Sequence, residues 1–168
     1  MEPHFIENPQ ILLVGFSFFG NPFATHAGWT EENEIGRLWN RFIEYRGKNP
    51  TAIKYLHNEH VAYELHIEHA ETKQTGEYEV FVGVQVENLE NIPVEITIKI
   101  LPPATYAIFT LHGTEIMTDW NRMIGERLRQ TGYRKAFNYG FQYYDERFKG
   151  LQNIEESVLD IYIPVIRN

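Results

Sequence analysis

A carboxylate set among aromatic side chains is a receptor for organic cations. Desolvated negative charge attracts a cation far more strongly than solvated charge. Aromatic faces add cation–π attraction. The sequence offers this combination near its C-terminal end, where Asp160 and Tyr162 alternate with Leu159, Ile161 and Ile163. In a strand, Asp160 and Tyr162 share the face opposite the aliphatic one. The aliphatic face should pack on a helix, which leaves Asp160 on the other side, either facing solvent or serving as the anionic anchor of a cleft. Phe141 and Tyr144 stand in the densest aromatic stretch, 137–145. Phe137, Tyr139, Phe141 and Tyr143 share one face there and Tyr144 the other. Both faces cannot line one cleft. Tyr144 is taken as the cleft residue, Phe137 and Tyr139 as core, and Phe141 is kept as a candidate. Tyr106, with Phe109, adds aromatic candidates on another strand.

Other chemistries lack their residues. The chain has no Cys, so disulfides, Cys-ligated zinc and thiol nucleophiles are excluded. His57, His60, His66 and His69 lie close in sequence, but their spacing matches no metal motif. No Gly-rich phosphate loop, G-x-S-x-G or H-E-x-x-H is present. No cofactor is expected. A net charge of −8, with no Lys/Arg-rich run, argues against direct nucleic-acid binding. The longest apolar run, 11–20, is too short to span a bilayer and follows Glu2 and Glu7 rather than a basic segment. No membrane association is expected, and the reading is a cytoplasmic protein. Aromatics make up 14% of the 168 residues, so what they line is the question to settle.

The elements that must hold these residues follow from periodicity. Strands are expected at 10–19, 61–69, 77–86, 94–100, 104–112, 137–145 and 157–165. In 94–100, Val94, Ile96, Ile98 and Ile100 fall on one face. A helix follows Thr30 as N-cap, with Ile35, Leu38, Trp39, Phe42 and Ile43 at helical spacing, and ends near Gly47. A second opens at Gly113 and carries Ile116, Trp120, Met123, Ile124 and Leu128 to Gly132. The two rounds are alike. Glu34-Ile35-x3-Trp39-Asn40-Arg41-x-Ile43 recurs 81 residues later as Glu115-Ile116-x3-Trp120-Asn121-Arg122-x-Ile124. The same offset puts Tyr63-Glu64 on Tyr144-Asp145 and 79–84 on 160–165. This predicts one domain over 1–168, an α+β fold of duplicated β-α-β-β units (about 1–88 and 89–168). Antiparallel sheets and two helices would enclose a cleft on a pseudo-twofold axis. Trp39 and Trp120 become paired aromatic candidates there. Glu64 and Glu79, repeated as Asp145 and Asp160, offer one acid per half.

The β-α-β-β duplication, the helix with Leu38-Trp39-Asn40, the run from Ile100 through Pro102-Pro103 to Phe109, Phe141-x-x-Tyr144-Asp145-Glu146-Arg147, and 160–165 together resemble the GyrI-like family. These are effector-binding domains of AraC-type and MerR-type transcription regulators, which also occur alone as integron-associated effector-binding proteins. The resemblance covers nearly the whole chain. It implies an aromatic-lined pocket, often with a buried acid, for amphipathic or cationic organic compounds. It further implies a stand-alone module tied to transcription regulation or xenobiotic response, which can pair with a regulator on another chain. Two departures stand out. No helix-turn-helix precedes the first strand, and Gln142 stands where an acid is common. Two rival readings are a hydrolase of reactive xenobiotics, with Tyr144 and Asp160 or Glu64 activating water, and an acidic inhibitor of a nucleic-acid enzyme.

Overall fold

Alternation gives each strand two faces, and the sheet buries them against different things. The structure, a computed structural model, describes residues 2–168. Its strands are β1 (His4–Asn8), β2 (Ile11–Gly20), β3 (Ala62–Ile67), β4 (Tyr78–Val86), β5 (Thr97–Leu101), β6 (Ala104–His112), β7 (Tyr133–Lys135), β8 (Tyr139–Tyr144) and β9 (Val158–Arg167). Its helices are α1 (Glu34–Lys48), the single turn α2 (Thr72–Thr75) and α3 (Trp120–Gln130). Short 3-10 segments at Gly113–Met117 and Leu151–Glu156 complete it. The fold is mixed α+β.

The nine strands form one sheet in the order β1-β6-β9-β8-β3-β4-β2-β5, with β7 on β9. The path is symmetrical about the central β8–β3 pair. Strands β3, β4 and β2 on one side answer to β8, β9 and β6 on the other, and α1 answers to α3. In the central antiparallel pair Glu64 lies opposite Gln142 and Leu65 opposite Phe141.

One face carries the helices. Val80, Val82 and Val84 of β4 cluster with Leu38 and Phe42 of α1. Leu159, Ile161, Ile163 and Val165 of β9 cluster with Ile124 and Leu128 of α3. Each such buried side chain contributes about 1.5–3 kcal/mol. The opposite face has no helix. There the sheet curls on itself, so Leu13 of β2 and Leu101 of β5 share a cluster with Tyr106 and Ile108 of β6. The corner at Pro102-Pro103 joins β5 to β6, where neither residue has an N–H to give to a ladder. Sharp coiling also needs Gly15 opposite Gly83. A Cβ on Gly83 would sit 2.3 Å from the Val14 carbonyl oxygen.

Several expectations shift. Strand β1, too short to show a pattern, was not anticipated. Asn33, not Thr30, caps α1, accepting from the Gly36 N–H at 2.9 Å. The second helix starts at Trp120 because Asp119 caps it, accepting from the Arg122 N–H, and Gly113 opens only a 3-10 turn. The 94–100 segment turns before it pairs. Val94 is fully exposed, Ile96 is buried, and Ile98 and Ile100 lie half-exposed on an edge strand beyond the cover of α1. Phe137 is exposed rather than core, while Tyr139 is buried. No helix among the described residues is long and apolar enough to cross a membrane.

Candidate functional site

Helices α1 and α3 diverge above the central strands and leave a cavity of about 920 Å³ between them. Its floor is the helix-facing side of β3 and β8, with Ala62, Glu64 and His66 from one and Gln142 and Tyr144 from the other. Neighbouring strands present rows of Val, Leu and Ile on this side. The central pair presents a carboxylate, an imidazole and an amide. Walls come from Trp39 and Ile43 of α1, Trp120 at the start of α3, Tyr78 of β4, and Phe148. Trp29 comes from the 21–33 loop, which Asn33 ties to the helix by donating to the Gly28 carbonyl at 2.8 Å. All three tryptophans of the chain therefore line one cavity.

Glu64 is only 4% exposed, and its carboxylate is the charged centre of the floor. The Trp39 indole N–H donates to Oε2 at 2.6 Å. The His66 imidazole Nε2 lies 2.7 Å from Oε1, and the Gln142 amide donates to the same oxygen at 3.2 Å. Tyr144 donates its hydroxyl to Gln142 Oε1 at 2.5 Å, so a relay of donors runs from Tyr144 through Gln142 to Glu64. A carboxylate has about four lone-pair sites. Three are used here, two on Oε1 and one on Oε2. The Tyr144 ring stands edge-on to Trp39 at 4.9 Å and to Phe148 at 4.8 Å. Burial, then the Glu64 charge, holds the Tyr144 phenol well above its usual range. Burial and Glu64 push Tyr78 up too. Both phenols stay neutral donors beside an anion. Glu31, Glu59, Asp119 and Asp145 stand around the mouth with Arg46; Asp145 is paired with Arg147 at 2.8 Å and Asp119 with Arg122 at 3.7 Å, so two of the four acids are answered by arginines.

Of the residues expected at a site, Trp39, Glu64, Trp120 and Tyr144 meet in this cavity. The other four lie on the far side of the sheet. Asp160 faces away from the helices. It is 7% exposed, accepts from Thr110 Oγ1 at 2.6 Å, and is paired with Arg147 Nη2 at 2.6 Å. Its charge is already answered within the chain. Glu79, on the same face, is likewise paired with Lys99 at 2.5 Å. Tyr162 stacks on Phe141 at 4.7 Å, and Tyr106 is fully buried with its hydroxyl 2.9 Å from that of Tyr139. These rings fill the curled side of the sheet.

The face assignments also break the 81-residue register at the central strands. It holds for Trp39 and Trp120, which both reach the cavity. Tyr63, however, points to the curled side while Tyr144 points to the helices. Glu64 is instead opposed by Gln142. His66, Trp29, Tyr78, Gln142 and Phe148 were not named as ligand candidates. The available signal was polar residues on alternate positions of two central strands, where neighbouring strands place aliphatic ones.

Comparison with known proteins places this geometry in context. Residues 5–165 match the family described as integron-associated effector binding protein (Cass2). The chain is 28% identical over 167 residues to the transcriptional regulator BrlR of Pseudomonas aeruginosa. That match covers 98% of this chain and 56% of BrlR, so the chain spans about half the length of this relative. The fold superposes on SAV2435 bound to tetraphenylphosphonium with a TM-score of 0.71 and 16% identity, covering 99% of this chain and 94% of that one. It superposes on the EcmrR C-terminal domain with a TM-score of 0.65 and 16% identity, covering 99% and 98%. A duplicated-looking sheet with a wide aromatic cavity, matched along almost its whole length, is thus an effector-binding domain of the kind linked to transcription regulators, and the chain belongs to the integron-associated effector binding protein family.

Proposed function

We propose that the chain is a receptor for lipophilic organic cations, which bind between α1 and α3 with their charge against Glu64. The observation that carries this reading is the Glu64 carboxylate, 4% exposed on the floor of an aromatic cavity. A cation of several aryl rings is matched on both counts. Its rings bury against Trp39, Trp120, Trp29 and Tyr144, and its charge meets an anion in a poorly solvated setting. The related SAV2435 structure, with tetraphenylphosphonium bound, supports this choice of ligand class. The occupied domain passes its state to a transcription regulator, on its own or a separate chain. The regulator relatives support this role.

Titration with tetraphenylphosphonium, followed by tryptophan fluorescence, tests the reading. With all three tryptophans on the cavity wall, saturable quenching is expected. An emission spectrum unchanged up to the solubility limit of the ligand would refute it.

A further inference from the structure

Glu64 has three donors, and only one of them can change its charge. The Trp39 indole and the Gln142 amide are neutral at any physiological pH. The third is the His66 imidazole, 2.7 Å from Oε1. A histidine titrates near neutrality, and it makes a full charge-assisted bond to a carboxylate only when protonated. We infer that His66 is an internal counter-ion for Glu64, and that an organic cation entering the cavity displaces its proton into solvent. The inference rests on the cation-receptor reading above.

Placement favours the exchange. His66 follows Glu64 by two residues, so both side chains stand on the helix-facing side of β3. The imidazole lines the cavity and is 25% exposed, which gives its proton a route to water. A bound cation beside a charged imidazole is repelled by it, the more so in a poorly solvated cavity. Loss of the proton removes that repulsion, and Glu64 keeps one cationic partner throughout. The step is a simple proton transfer. The imidazolium N–H bond breaks, its electron pair stays on the ring, and the proton leaves to water.

The groups facing His66 leave it the switching role. On β3 it faces Glu64. From β4 the Tyr78 ring packs against it at 5.4 Å, with a phenol held neutral by burial. From β8 it faces Gly140 in register, with Gln142 and Tyr144 beyond. From α1, Trp39 is neutral and Arg46 is permanently charged. The loop residues Glu59 and His60 and the rim acids Glu31, Asp119 and Asp145 complete the set.

Tetraphenylphosphonium has no titratable proton, so any proton released on binding comes from the protein. Calorimetric titration at about pH 6.5, in buffers of differing ionisation enthalpy, counts those protons. We expect protons to be released, up to one per cation bound, with affinity rising up to roughly tenfold per pH unit. His66→Gln, which keeps a donor for Glu64, should release none and give a flat profile. His57→Gln, outside the cavity lining and paired with Glu87, should behave as wild type. An imidazole NMR signal that moves from the protonated to the neutral position on binding gives the same answer in wild-type protein, should His66→Gln not fold. Binding without proton release, or release that persists in a folded His66→Gln protein, overturns this inference and leaves the receptor reading standing. No binding at all overturns both.

Discussion

Replacing Glu64 by glutamine removes the charge and keeps the shape. The amide oxygen can still accept from the Trp39 indole, and the amide N–H₂ can donate to a neutral His66 ring. The floor should therefore stay ordered. What changes is the field. The charge centre of a tetraarylphosphonium is shielded by its rings, which sets it about 6 Å from a carboxylate it packs against. At an effective dielectric of about 20 the attraction is roughly 2.8 kcal/mol, or about a hundredfold in Kd. Partial solvation through the open mouth lowers this to about 30-fold at the weak end. Calorimetry at about pH 8, above the ordinary histidine range, isolates the carboxylate. A neutral ligand of similar shape, triphenylphosphine oxide, serves as control. Glu64→Gln should weaken tetraphenylphosphonium roughly 30- to 100-fold and leave the neutral ligand within about twofold. Equal losses for both ligands would show that Glu64 only shapes the cavity. A loss under about threefold for the cation would refute the electrostatic reasoning.

Two further outcomes concern the far side of the sheet. Asp160→Asn breaks the pair with Arg147 but keeps an acceptor for Thr110, and Arg147 retains Asp145. Arg147 is the half-exposed member of the pair and asparagine leaves no buried charge behind, so denaturant unfolding should show a loss of only about 1–2 kcal/mol, with cation affinity within about twofold of wild type. A tenfold loss of affinity without lost stability would make Asp160 the anchor after all. The tyrosines of the curled face, Tyr63, Tyr106, Tyr139, Tyr143 and Tyr162, all have phenols raised first by burial, with Tyr162 pushed up to about 12. A raised folded-state value means that stability is whole below the unfolded value near 10 and drains away as pH climbs through the folded one. Unfolding midpoints should fall from about pH 10 upward, in step with tyrosinate absorbance, by up to about 1.4 kcal/mol per unit for each ionising group. A midpoint flat to about pH 12 would contradict the burial of these hydroxyls.

Periodicity made seven of the nine strands and both long helices legible, because burial on one face leaves a mark at every second or fourth residue, and it missed the short β1 and β7. It also separated Asp160 from the aliphatic face of its strand correctly. What it could not supply was the side of the sheet on which the cavity lies. Asp160, beside tyrosines and opposite leucine and isoleucine, has the local signature of a pocket acid. The curled side that it faces closes on itself, and Arg147 neutralises it across 13 residues. Glu64 lies in an equally regular alternation with Tyr63 and Leu65, and reads as a solvent-facing strand residue. It is buried because β3 is a central strand with helices over it, a fact of sheet order rather than of local pattern. The tryptophans were easier. Trp39 and Trp120 both reach the cavity, although Trp39 lies inside α1 and Trp120 opens α3. The 81-residue register fails by face at Tyr63 and Tyr144, because strands that meet across the centre must match the pairing of Glu64 with Gln142.

The central claim is a location: a lipophilic cation in the cavity between α1 and α3, held by Glu64. A crystal structure of the protein with tetraphenylphosphonium tests it directly. The phosphorus should lie within about 6–7 Å of the Glu64 carboxylate, with phenyl rings against Trp39, Trp120 and Tyr144. Density for the cation on the curled face beside Asp160, or outside the cavity altogether, would contradict the account.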